Sequence, residues 1–460
     1  MILLIKKHII FFIIFLLFFI VKVFSLFVSH DIWWDSSVFL GMGKYIYSFG
    51  DVGLWEASRP IVWPLILGFF WKSGLDAVFF GKLIVVLFSL GILSLTYIIA
   101  YELFDKKIAV IAALFLALSQ TFFLFNNILH TEIPSTFFLL LGFYFFVKER
   151  YEFSGLALGI AFMTRFFHII AFVPLFLILI YLIKKKKESI KSLLKFSLFF
   201  MIPIIPYLIL NMVLYKNPLF PFLLQSFLTK YTGWVFYQPF NFYFIGLVKE
   251  NILVLFSIIG LIFIFRKFEI KKISLALMFL FLFIPYTLIA HKETRLLIST
   301  LPFLYILTSY GIFYFIDLFK KKKTLILSLL LVIFLILNIP KLKFDKYEDN
   351  LDLFYDYVKN TRIDKGLWIS NPAFIAYSDY KADELIYYPL FNSKKIDKLT
   401  SNLENAKYIL INTCDILPCP EEDVFCTEKT DDFISLLKER FILKLNQKNN
   451  QCEYFIFSSN

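Results

Sequence analysis

"HIIFFIIFLLFFIVKVFSLFV", residues 8–28, holds a single lysine, Lys22, in a run that is otherwise almost wholly apolar. A helix needs about 20 such residues to cross a bilayer. The run is too long for the apolar part of a cleaved signal peptide, and no small-residue cleavage site follows it. It reads as a retained signal-anchor helix.

The rest of the chain agrees with that start. Of 460 residues, 59% are hydrophobic and 20% aromatic, with 61 Phe, and only 18% are charged. The mean hydropathy is +0.75. Soluble domains carry about a quarter charged residues. Eleven apolar segments follow one another, near 8–28, 76–101, 108–125, 133–147, 153–164, 166–183, 194–214, 246–265, 274–290, 296–316 and 324–339. The segment at 153–164 is short for a span. "RPIVWPLILGFFWKSG" (59–74) is also short, carries Pro60 and Pro64, and reads as an interfacial or re-entrant helix on the outer face.

Six basic clusters lie between alternate spans: Lys6-Lys7, Lys106-Lys107, Lys148 with Arg150, Lys184 to Lys187, Arg266-Lys267 with Lys271-Lys272, and Lys320 to Lys323. Short loops rich in Lys and Arg stay in the cytoplasm. All six fall on one side if the N-terminus is cytoplasmic. The net charge of +12 is therefore read as membrane topology, and no nucleic-acid-binding motif accompanies it. The odd number of spans places the C-terminus outside.

Past Pro340 the composition turns mixed and charged. Strand-like runs "GLWIS", "ELIYY", "KYILIN" and "EYFIFSS" alternate with helix-like "NLDLFYDYVKN" and "DDFISLLKERF", which suggests a small α/β domain. The expected division is a membrane domain, 1–340, and an extracytoplasmic domain, 341–460. All four cysteines, Cys414, Cys419, Cys426 and Cys452, lie in the second. On an oxidising side they imply one or two disulfides, with Cys452 paired to one of the other three. A metal site is the alternative, but the spacing fits no zinc pattern and no His follows His291.

Lys22 and Lys82 are near outer span ends, where a lysine can snorkel. The remaining unusual polar residues gather in the outer loops. Asp31 and Asp35 flank Trp33 and Trp34. Asp51, Glu56 and Arg59 follow in the same loop, then His130 and Glu132 in "NNILHTEIPS", Arg165 and His168 in "MTRFFH", and His291, Lys292, Glu293 and Arg295 in "AHKETRLL". Aromatic and basic residues also anchor spans without any chemistry, and Trp33 and Trp34 suit that role. The cations at 291–295 do not, because outer short loops are poor in Lys and Arg. An anionic headgroup would explain them: Arg165, Lys292 and Arg295, with His291 adjacent, can converge on a lipid phosphate.

The order of these pieces resembles the polyprenyl-phosphate-sugar transferases of the GT-C superfamily, near glycosyltransferase family 39, which holds the protein O-mannosyltransferases and is close to the aminoarabinose transferases. An acid follows the first span, then "RPIVWP", then a glutamate opening the fourth span ("HTEIPSTFFLLLGFY"), then "LALGIAFMTR". In that family the first loop reads roughly Asp-Glu-x-x-Tyr. Here "DSSVF" sets Asp35 on the acid and Phe39 on the aromatic. Ser36 replaces the second acid, and "RPI" lacks a second proline. "HKETRLL" resembles the His-Lys-Glu-x-Arg-Phe motif of the mannosyltransferases that use dolichyl-phosphate mannose, with Leu296 in place of Phe. "IWWDSS" also invites comparison with the Trp-Trp-Asp motif of oligosaccharyltransferases, but that motif belongs to their C-terminal soluble domain.

The resemblance implies a GT-C fold of about eleven transmembrane helices bearing a small C-terminal domain. It implies transfer of a sugar from a polyprenyl-phosphate donor to a hydroxyl of a lipid, glycan or protein acceptor at the outer membrane face. Inversion, with no cofactor and no required metal, is expected. Asp35 is the expected general base and Asp31, one helical turn earlier, the runner-up. Glu132 is counted with the catalytic acids, and Arg59 and Glu293 support them. A lipid transporter or flippase is the rival reading. Transporters commonly show internal repeats and polar sites at the bilayer midplane; neither is seen here. A non-catalytic membrane subunit is a third reading, and it leaves the 291–295 cations without a role.

Overall fold

The computed structural model describes residues 7–28, 32–231, 236–319, 321–346, 354, 357, 363, 365–386, 392–416, 419, 423–449 and 452–459. Asp31, Lys6, Lys320 and nearly all of "NLDLFYDYVKN" lie outside the described residues.

The chain opens with α1 (Ile9–Ser25), followed by two shorter helices, α2 (Trp34–Tyr47) and α3 (Val62–Lys72). Next come α4 (Ala77–Leu103), α5 (Lys106–Ala117), α6 (Gln120–Phe125), α7 (Glu132–Val147) and α8 (Tyr151–Thr164). A 3-10 turn (Phe166–His168) leads into α9 (Ile169–Lys184), then α10 (Ile190–Met201), α11 (Ile205–Tyr215), α12 (Phe220–Tyr231) and α13 (Phe242–Glu250). The helical part closes with α14 (Phe256–Lys267), α15 (Ile270–Leu288), a 3-10 turn (Thr294–Ser299), α16 (Leu301–Asp317) and α17 (Lys323–Asn338).

Each of the eleven apolar segments is helical, but several are broken. Among the described residues four helices are long and apolar enough to cross a membrane unaided, and α10 with α11 makes a fifth if the 43° bend between them is one broken span. The breaks have local causes. Ser119 ends the run from α5 by accepting the Phe122 N–H and so capping α6. Asn251 does the same at the end of α13, accepting from Leu253. Pro203 and Pro206 lie at the α10–α11 bend, where a missing amide hydrogen stops a helix.

Close helix crossings come from glycine. Gly155 and Gly159, four apart on α8, abut the Phe196 and Phe200 carbonyls of α10, leaving no space for a Cβ. Gly260 of α14 and Gly311 of α16 meet in the same way.

Lys22 does not snorkel. It is buried, donates to the Phe123 carbonyl at 2.7 Å and lies over the Phe123 ring. That carbonyl belongs to the end of α6, where intrahelical partners run out.

The basic loops meet on one face. Lys148 pairs with Glu102 and Lys271 with Glu149, both at 2.7 Å. The Tyr151 hydroxyl donates to Glu188 at 2.7 Å, and Lys272 lies over Phe104. The outer-loop polar residues collect at the opposite ends of these helices.

The C-terminal domain holds β1 (Leu367–Ile369), α18 (Ala373–Tyr377), β2 (Glu384–Leu385), α19 (Ser393–Ser401), β3 (Tyr408–Asn412), α20 (Thr413–Ile416), α21 (Cys426–Arg440), β4 (Ile442–Asn449) and β5 (Cys452–Ser458). Its five strands are ordered β2-β1-β3-β5-β4. β1 is parallel to β2 and β3, and β5 is antiparallel to β3 and β4. The β3–β5 ladder ends where Asn412 faces Tyr454, and just beyond it Cys414, in α20, is disulfide-bonded to Cys452 of β5. Cys419 is bonded to Cys426.

Candidate active site

Asp35 sits in the first turn of α2, where the helix dipole favours an acid. Its Oδ1 lies 2.8 Å from Arg59 Nη2 and its Oδ2 2.6 Å from Arg295 Nη1. Phe39, one turn along the same face, lies beneath the Arg59 guanidinium. Arg59 also donates through Nε to Glu56 at 3.1 Å.

Arg295 is the hub. Its Nε and Nη2 donate to the two oxygens of Glu293 at 2.9 and 2.8 Å. Nη1 donates to Asp35 and to His130 Nδ1, the latter at 3.0 Å. Glu132 Oε1 is 3.7 Å from Nε. Glu132 opens α7 and pairs with Arg165 at 2.7 Å, which follows α8 in an extended conformation. His291 stacks on Phe236 and lies 2.8 Å from Glu293 through Nε2.

The structure thus joins Asp35, Arg59, Glu132, Arg165, Glu293, His291 and Arg295 in one network. It does not bring in Lys292, whose ammonium donates to the carbonyls of Gln238 (2.9 Å) and Ile289 (2.5 Å). Nor are the guanidiniums bare cations, since each is met by at least one carboxylate. Where Arg165, Lys292 and Arg295 were expected to converge on a lipid phosphate, Arg165 and Arg295 lie with their acids in a nearly neutral network and Lys292 lies apart from it. The cause is that acids stand two or three residues from each half of it, at Glu56 and Glu293.

The protonation states follow from the neighbours. Burial alone would raise the Asp35 carboxyl, but Arg59 and Arg295 hold it well below the usual carboxylate range. Glu293 is likewise resisted by burial and held down to about 2 by Arg295 and His291. Burial and the adjacent Arg295 lower His130 to about 4, against the pull of Glu132, Asp35 and Glu293. Arginine only donates, so His130 Nδ1 accepts and the ring hydrogen of the neutral imidazole is on Nε2.

Glu56 and His130 stood among the unusual outer-loop residues but were not assigned to the site. Their signal was proximity in sequence, Glu56 to Arg59 and His130 to Glu132. Beside the network lies a cavity of about 230 Å³. Its walls include Phe125, Tyr243, Leu247, Thr294 and Leu297. Phe125 stacks on His130, and the Tyr243 hydroxyl donates to the Glu293 carbonyl at 3.1 Å.

Residues 58–210 match the dolichyl-phosphate-mannose-protein mannosyltransferase family. No curated protein matches the sequence. Among solved structures, the chain is similar to ArnT from Cupriavidus metallidurans in the apo state, with a TM-score of 0.62, 10% identity and 98% of each chain covered. ArnT bound to undecaprenyl phosphate gives a TM-score of 0.54 at 14% identity, over 67% of this chain and 60% of that one. The oligosaccharyltransferase AglB from Archaeoglobus fulgidus, in complex with an inhibitory peptide and a dolichol-phosphate, gives 0.57 at 12% identity, over 88% and 69%. The family match covers 58–210, about a third of the chain, and over most of its length the chain shares the fold of these lipid-phosphate-dependent transferase structures.

Proposed function

We propose that the chain is an integral-membrane glycosyltransferase that moves a sugar from a polyprenyl-phosphate donor to an acceptor hydroxyl at the extracytoplasmic face, with Asp35 as general base. The observation that carries this reading is the position of Asp35. It is an ionised carboxylate between two guanidiniums, at the outer ends of the helices, in the loop where the family resemblance sets the catalytic acid. The similar structures of ArnT bound to undecaprenyl phosphate and of AglB in complex with a dolichol-phosphate support a lipid-phosphate donor.

A sugar on phosphate already has a competent leaving group, so the protein's work is positioning, proton removal and charge stabilisation. Asp35 takes the acceptor's proton as that oxygen attacks the anomeric carbon, and the bond to phosphate breaks on the opposite face. Inversion follows from this single displacement. The departing phosphate gains negative charge, which Arg295 and Arg59 are placed to meet. A carboxylate clamped by two guanidiniums is a weak base. A phosphate oxygen arriving on Arg295 Nη1 would compete with Asp35 for the same hydrogen and leave Asp35 the stronger base, so donor binding and base strength are coupled. Arginine supplies the cationic charge in this scheme, so it calls for no metal. The mostly apolar cavity beside Thr294 and Phe125 suits the first isoprene units of the carrier.

The test is transfer by the purified chain in lipid, with polyprenyl-phosphate sugars as donors. Transfer that Asp35→Asn abolishes while donor binding persists supports the proposal. No transfer from any such donor, or full activity in Asp35→Asn, overturns it.

A further inference from the structure

Lys44 stands in the last turn of α2, nine residues past Asp35, and its side chain is 5% exposed. Its ammonium donates to the carbonyls of Ile375 (3.1 Å), Ala376 (3.1 Å) and Ser378 (2.8 Å) and to the Asp379 carboxylate (3.2 Å). Those carbonyls are the ones a helix leaves unpaired at its C-terminal end, and this end is that of α18 in the other domain. A buried ammonium is costly unless its hydrogens are all used. Here four acceptors face three hydrogens, so the contact is saturated and directional.

Other bonds join the same surfaces. Trp71 Nε1 donates to Asp379 at 2.9 Å. Gly53 donates to the Tyr380 carbonyl and accepts from the Ala382 amide, both at 2.9 Å. A Cβ on Gly41, midway along α2, would press on Leu54 at 2.9 Å and on Ile375 at 3.2 Å. At the Asp35 end, Trp33 Nε1 donates to Asp345 at 2.7 Å, in the segment leading to the C-terminal domain. Topology sharpens the point. β1 lies between two parallel neighbours, and open α/β sheets commonly hold ligands beyond the carboxyl ends of such strands. The segment leaving that end of β1 runs into α18, which is seated on α2.

We infer that the C-terminal domain is a working part of the transferase: it grips both ends of α2 and so fixes Asp35 against Arg59 and Arg295, with Lys44 as the positioning residue. The inference rests on the proposed function for what Asp35 does. Nine residues of helix make a lever of about 13 Å. A pivot of about 5° at its far end moves the carboxylate by about 1 Å, a misplacement that can cost about 100-fold in rate.

The experiment uses the full chain in lipid nanodiscs, with Lys44→Met, Lys44→Arg and Asp379→Asn. Hydrogen exchange of α2 amides reads the grip without any substrate, and transfer kinetics read its consequence. Lys44→Met is expected to speed exchange in α2 but not in α4 or α15, and to lower kcat about 10- to 100-fold with donor KM within twofold. Lys44→Arg restores most of kcat. Asp379→Asn, made in the other domain, lowers kcat in the same direction and adds little to Lys44→Met. Unchanged α2 exchange and kcat in Lys44→Met overturn the inference. So does a general loss in which donor affinity, kcat and melting temperature fall together, since that marks a merely structural contact. If α2 responds as expected but the unaltered chain transfers no sugar from any polyprenyl phosphate, the grip stands and the transferase reading fails.

Discussion

Asp35 and Arg295 lie 260 positions apart in sequence and 2.6 Å apart in space. Replacing Asp35 with Asn keeps the shape and removes the basicity. General-base assistance is worth roughly 10²- to 10⁴-fold, so kcat in Asp35→Asn should fall by about that range with donor binding retained. Asp31→Asn is the comparison, and an inactive Asp31→Asn beside an active Asp35→Asn would move the base. Arg295→Ala has a different expected outcome: it removes both guanidinium bonds of Glu293, leaving that carboxylate only His291, and takes one of two arginine partners from Asp35 and from Glu132, and removing one partner of a buried pair costs about 3–5 kcal/mol. Its melting temperature in detergent should fall well below that of Lys292→Ala, whose ammonium meets only carbonyls. His130 makes a pH prediction. Its folded value, about 4, is below its ordinary 6.5. The unfolded chain takes up this proton as pH falls through 6.5, and the folded chain does not until about 4. Stability is therefore full above 6.5 and falls between 6.5 and 4, by up to about 3 kcal/mol. Denaturation at pH 7 and pH 5 should show this slope, and His130→Gln should lose its share. Residue types, and their gathering at one end of the helices, were legible here from the loops. Partner geometry was not: nothing local says that Lys292 turns to carbonyls while Arg295, three residues on, turns to acids.

Between elements, contact is set by the residues that allow close approach. Gly155 and Gly159 bring α8 against α10, which sets the α8 end where Arg165 reaches Glu132. Gly155→Val must push a side chain into the Phe196 carbonyl, and overpacking of this kind typically costs about 1–3 kcal/mol. Its folded yield and melting temperature in detergent should drop. Gly246→Ala is the control. Nothing lies within 4 Å of a Cβ there, and alanine in a helix is favoured over glycine by about 0.5–1 kcal/mol, so its melting temperature should hold or rise. A Gly155→Val protein as stable as the parent would mean that α8 and α10 are not tightly crossed. Hydropathy marked every apolar segment but not where each would break. Breaks depend on single capping side chains, such as Ser119 and Asn251, inside runs whose average hydropathy barely changes. β4 went unnoticed for a related reason. "ILKLNQKN" is polar along much of its length and is a strand because β5 pairs with it from end to end, with one register shift between Leu443 and Leu445.

The whole molecule is polar at both ends, but the two ends differ in kind. One gathers exposed loop lysines: Lys148, Lys271 and Lys272 lie together, each paired with a glutamate, and Lys7 lies over Tyr101. The other carries the balanced network around Arg295 and the C-terminal domain, which reaches it through Lys44, Trp71 and Gly53. The sorting of short-loop lysines onto one face was readable from sequence, because charge bias acts on each loop separately. The seating of residues 365–459 on α2 was not, because its contacts join positions more than 300 apart. The two observations now bear on one question, orientation. If the lysine face is cytoplasmic, the Asp35 network and both disulfides are extracytoplasmic, where disulfides persist. Cysteines introduced singly test this in intact cells, with a thiol reagent that does not cross the membrane. A cysteine at Lys185 should label only after permeabilisation, and one at Thr400, in α19, should label from outside. The disulfides serve as an internal check, since native Cys414, Cys419, Cys426 and Cys452 should stay unlabelled without reductant. Labelling at 185 from outside, or protection at 400, would invert the molecule and put Asp35 on the cytoplasmic face, away from any outer-face donor.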